Sequence, residues 1–87
     1  MHNEINESTI FVVELAIEAD KLCLSKNIVE DKNNLITKYN KIMNNQEFED
    51  IHEFLNSLKE EFEIIEVFED ISEIKQACKK ISTSIKV

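Results

Sequence analysis

A chain of 87 residues without one Gly or Pro has few ways to turn. Most turns with positive φ want Gly, and tight hairpins lean on Asn-Gly or Asp-Gly. A β-rich fold needs many such turns and is disfavoured. Helices joined by short Asn-containing loops remain, because Asn tolerates the left-handed conformation at a helix end. An apolar content of 43% suits a globular protein, so the high charge does not by itself imply disorder. The expectation is a single helical domain over residues 1–87 with a modest core.

Apolar spacing predicts four helices. The first runs from about Glu7 to Ser25, with Asn6 or Ser8 as N-cap. Its polar side is one narrow line of Glu14, Glu18, Lys21 and Ser25, and nearly everything else is apolar. A helix apolar over most of its circumference has to be covered on several sides, so it is expected to be the most buried. In so small a chain it is either central or part of a dimer interface. Asn27 is taken to end it. The second helix spans about Ile28 to Met43 on a stripe of Ile28, Leu35, Tyr39 and Ile42, and Asn44 and Asn45 close it.

The third predicted helix starts after Asn45 on Phe48, Ile51, Leu55, Leu58, Phe62 and Ile65, close to a heptad seam. The fourth carries Ile71, Ile74, Cys78, Ile81 and Ile85. Asp70 with Glu73 resembles a capping box at its start. From Phe62 to Ile74 the apolar steps are all threes, which drifts off a straight helical face. A break near Ile64 to Glu69 follows. The fold class is therefore all-α, a small bundle of three to four antiparallel helices.

Charge is concentrated between Glu47 and Glu73, where eleven carboxylates accompany one cation, Lys59. Helix chemistry accounts for six of them. Glu47, Glu49 and Asp50 suit the start of the third helix, and Glu69, Asp70 and Glu73 the start of the fourth, where acids meet the positive dipole end. With the third helix ending near Ile65, Glu60, Glu61, Glu63 and Glu66 fall at its negative end, where Lys would be favoured. Like charges three or four apart add repulsion. The four Lys between Lys75 and Lys86 could neutralise the cluster from within the chain, or the cluster could face a basic partner.

Several chemistries find no support in the residues. All ten basic side chains are Lys, and without Arg and with a pI near 4.7 direct nucleic-acid binding is not expected. Glu49-x-x-His52 has di-iron spacing, but such sites need a second motif and only His2 is left. His52 lies off the apolar stripe and is expected to be exposed. No metal, cofactor or catalytic residue is assigned, and enzymatic activity is not expected. Residues 1–8 carry two Glu and no Lys, unlike a secretory signal, and no apolar run approaches a membrane span. Cys23 and Cys78 sit on apolar faces as free thiols, which points to the cytoplasm.

Asp50 to Phe62 resembles the second helix of acyl carrier proteins, small acidic four-helix domains whose helix opens on a serine bearing phosphopantetheine. Here the corresponding residues are Glu47-Phe48-Glu49, so that activity does not carry over. Colicin-type immunity proteins are similar in size, acidity and helical class, though their Pro-, Gly- and Tyr-bearing loop has no counterpart. The expected function is a non-catalytic acidic binding protein of phage anti-defence or immunity type. It would block a basic partner, such as a toxin or a nucleic-acid-handling protein. The expected contacts are Glu53, Glu60, Glu61, Glu63, Glu66, Phe68, Glu69 and Asp70. The alternative is a self-associating structural or regulatory module, a homodimer through the first helix.

Overall fold

The structure is a computed structural model and describes residues 7–86. It comprises α1 (Glu7–Cys23), α2 (Ile28–Met43), a 3-10 turn (Gln46–Phe48), α3 (Glu49–Asn56), α4 (Lys59–Val67) and α5 (Ile71–Lys86). No strand occurs among the described residues, so the fold is all-α. Five α-helices stand where three to four were expected. Of the two candidate caps for α1, Asn6 lies outside the described residues, and so does the side chain of Ser8.

The extra helix arises inside the third predicted one. At Ser57 and Leu58 the backbone N–H groups bond to Phe54 O and Leu55 O, the tighter i to i−3 pattern, at 3.1 and 3.0 Å. Ser57 Oγ also donates to Phe54 O, the kind of local bond by which serine loosens a regular helix. The seam survives the interruption. Phe48, Leu55, Leu58, Phe62 and Ile65 are all buried, and Ile51 is half-buried.

No described residue has positive φ. The expectation that Asn would end helices in the left-handed conformation is therefore corrected: Asn44 closes α2 at φ −90° and ψ −2°. Without Gly, the turns tighten instead. Leu24, Ser25 and Asn45 donate to the carbonyls of Lys21, Leu22 and Ile42, three residues back. Asn27, expected to end α1, instead caps α2, its carbonyl accepting from Glu30 N and Asp31 N at 2.9 Å.

One core unites the helices. Leu15, Ala19 and Leu22 of α1 meet Leu35, Ile36 and Ile42 of α2 and Ile74, Ala77, Cys78 and Ile81 of α5. α1 lies chiefly along α5 and next along α2, while α4 lies on α5 and α2. Small side chains are buried on both helices, Ala16 and Ala19 on α1 and Ala77 and Cys78 on α5. Ser82, itself buried, donates to Asp20 Oδ1 at 2.6 Å between the two helices. α1 is nonetheless only half covered, with Ile10, Val13 and Ile17 exposed by 45%, 48% and 46%.

The break before α5 falls at Phe68–Asp70, at the far end of the expected Ile64 to Glu69 range, with Ile64 to Val67 still helical. Phe68 is extended, with φ −78° and ψ 149°. Asp70 then starts α5, its Oδ1 accepting from Ser72 N at 2.9 Å and Glu73 N at 3.3 Å. The break also turns Ile71 out, leaving it 52% exposed although it headed the predicted stripe.

Candidate docking surface at the α4–α5 junction

The division of the third helix changes what its acids do. Glu60 and Glu61 lie in the first turn of α4, where carboxylates meet the positive dipole end. Two of the four acids assigned to a negative helix end are thus at a favourable one. Glu63 falls at the middle of α4, and Glu66 remains in its last turn, which has no basic residue.

A cation nevertheless reaches that helix end from α2. Lys32 Nζ donates to Glu66 O and to Phe68 O, both at 2.9 Å. Two carbonyls that the helix leaves unpaired are satisfied by one ammonium group. The cation that helix chemistry demands is therefore present, supplied 34 and 36 residues away in sequence. Lys32 also fixes the course of the chain through Phe68.

Glu60, Glu63, Ile64 and Val67 recur at positions i, i+3, i+4 and i+7, which puts them on one side of α4. With Phe68 they line one shallow open groove. Val67 is 70% exposed and Phe68 43%. Ile71, just past the break, is exposed as well. Glu60, Glu63, Glu66, Glu69 and Asp70, all exposed, surround these three apolar side chains in sequence. The field there is felt inside the protein. Burial, and secondarily the Glu63 carboxylate, pushes the Tyr39 phenol above its ordinary range. Tyr39 in turn stacks on Phe62 with ring centroids 3.9 Å apart.

Not every expected contact residue joins this surface. Glu61 is only 7% exposed, its carboxylate turned toward α5 and 3.8 Å from Lys80 Nζ. Glu61 is thereby paired with the Lys-rich tail. Glu53 is exposed on α3 and is not among the groove-lining residues. Val67 and Ile71 were not among the expected contact residues. For Ile71 the steps of three through Ile65, Phe68, Ile71 and Ile74 held the signal, because such residues cannot all reach one core face.

His52 is half-buried rather than exposed, its Nε2 lying 2.9 Å from Ile42 O, which ties α3 to the end of α2. Among the described residues no group of three or more His, Cys, Asp or Glu could hold a metal ion. No described helix is long and apolar enough to cross a membrane. Cys23 and Cys78 are free. Burial above all, then Cys23 and Asp20, pushes the Cys78 thiol up to about 12. A thiol held protonated in this way is a poor nucleophile.

No protein-family model, curated protein or solved structure matches the chain.

Proposed function

We propose that this chain is a non-catalytic binding protein whose α4–α5 junction docks on a basic surface of another protein and occludes it. The observation that carries the reading is the exposed Val67, Phe68 and Ile71 flanked by Glu60, Glu63, Glu66, Glu69 and Asp70. Acids supply steering and register, and apolar side chains near the centre supply the desolvated contact that retains a partner. The fitting partner bears Lys and Arg around an apolar depression, the surface of a protein that handles nucleic acid or of a toxin. Blocking such a surface is the work of an anti-defence or immunity protein. Both unlinked thiols stay reduced in the cytoplasm, where this reading sets the chain.

The test is capture from host lysate by the tagged chain. The wild type should hold a basic protein that high salt releases, because exposed charges are screened within about 8 Å at physiological ionic strength. Glu60→Lys/Glu63→Lys/Glu69→Lys should abolish capture by slowing association about 10- to 1000-fold while leaving helicity intact. Phe68→Ala should raise the dissociation rate. Capture that survives both changes would refute the acidic junction as the docking surface.

A further inference from the structure

The open side of α1 is complementary to itself. Ile10, Val13 and Ile17 are each nearly half exposed, and Leu24, one residue past the helix, is 84% exposed. Steps of three, four and seven keep all four on one side of a 3.6-residue helix. Leu24 continues the line because its N–H still bonds to Asp20 O and Lys21 O at 3.2 Å. Asp20, at one edge of the stripe, is engaged from within by the Ser82 hydroxyl. Glu14 and Lys21 run along the other edge, and among the described residues neither forms an ion pair within the chain.

Turning α1 end over end about Ile17 superposes like on like and charge on countercharge. The midpoint of Ile10 and Leu24 is residue 17. That of Glu14 and Lys21 lies half a residue further on, about 0.75 Å along an α-helix. We propose that α1 docks on α1 of a second copy of this chain as an antiparallel pair with its two-fold axis at Ile17. Ile10 of each copy then packs on Leu24 of the other, and Ile17 on Ile17. A two-fold axis across the pair brings like edges together, so Glu14 of each copy meets Lys21 of the other, twice over. This is the self-complementary patch that an isologous interface requires.

The contact is a single helix pair about 25 Å long, smaller than the roughly 1,600 Å² of a standard interface. It therefore gives a weak, concentration-dependent dimer. The surface shares no residue with the α4–α5 junction, and the inference does not rest on the binding reading. A dimer would present two acidic junctions to a partner.

Sedimentation velocity across low- to high-micromolar concentrations tests it. The mass should rise from 10.2 kDa toward twice that value. Ile17→Glu should hold the chain monomeric with unchanged helicity, because Ile17 is not core. Glu14→Lys and Lys21→Glu should each weaken the dimer about three- to tenfold, and the double variant should restore it, since it re-forms both pairs. A monomer at the highest concentration would overturn the proposal, as would a dimer indifferent to Ile17→Glu. A double variant no tighter than either single variant would also overturn it.

Discussion

Lys32 is the side chain on which the shape of the α4–α5 junction depends, and Lys32→Met isolates its contribution. Methionine keeps a similar flexible apolar stem and removes the ammonium group, so Glu66 O and Phe68 O lose bonds of 2.9 Å. Hydrogen bonds involving a charged group contribute about 1.5–3 kcal/mol each when well shielded. These two are exposed and share one donor, so about 1 kcal/mol each is the fitting figure, or about 2 kcal/mol together. Unfolding entropy of about 2.1 cal/mol/K per residue over 87 residues gives about 0.18 kcal/mol/K. The loss then corresponds to a fall in Tm of about 10 °C. Thermal unfolding by circular dichroism reads this directly. Hydrogen exchange at the Phe68 N–H, which bonds to Ile64 O at 2.9 Å, should quicken beyond the global change. Lys32→Arg should recover part of the loss. A Tm within about 2 °C of wild type would mean that the ammonium group does not hold the junction.

Two further predictions concern the core. Leu15, fully buried on α1, should cost about 3–5 kcal/mol as Leu15→Ala, whereas half-exposed Ile17 should cost about 1 kcal/mol as Ile17→Ala; equal losses in urea titrations would contradict a half-covered α1. The Cys78 thiol, raised from 9.0 to about 12, stays protonated in the folded chain while the unfolded chain ionises above pH 9. Its stability contribution is thus complete below pH 9 and lost between 9 and about 12, for about 4 kcal/mol in all. The wild type should therefore lose about 1 kcal/mol more than Cys78→Ala over the first pH unit above 9, and parallel pH profiles would refute the shift.

Helix α2 was legible to the residue, because a stripe with an Asn before it and two after it leaves little freedom. The break at Phe68–Asp70 was legible from apolar steps of three, which no straight helix can bury together. The turn at Ser57 and Leu58 was not. It preserves the alternation of threes and fours, so Leu55, Leu58 and Phe62 stay on the core face and the pattern runs on undisturbed. Only Asn56-Ser57, both weak helix formers, hinted at it. That miss misplaced Glu60 and Glu61 relative to the helix dipole.

For the candidate site, the acids and Phe68 could be named from the sequence, but Val67 and Ile71 beside them could not. Ile71 looks like a core residue until the break turns it outward, and Val67 gains a role only from its place beside Phe68. The contacts from Lys32 to Glu66 and Phe68, and from Ser82 to Asp20, join side chains and carbonyls 34 to 62 residues apart. Local spacing carries no trace of such contacts. The apolar circumference of α1 was plain, yet which half the chain would cover depended on where α5 and α2 lie.

Glu63→Gln/Glu66→Gln tests the central claim most directly, by its affinity for the captured partner and its Tm in the same preparation. Glu63 lies at the middle of α4 and Glu66 in its last turn, three residues apart, with Glu60 a further three residues before them. Removing the charge of Glu63 and Glu66 should relieve the like-charge repulsion of Glu60–Glu63 and Glu63–Glu66, worth about 0.5 kcal/mol, raising Tm by about 3 °C. If these acids serve a partner, the same variant should lose tenfold or more in affinity (about 1.4 kcal/mol). Weaker binding in a more stable protein is the predicted result. Unchanged affinity, or a fall in Tm, would contradict the account.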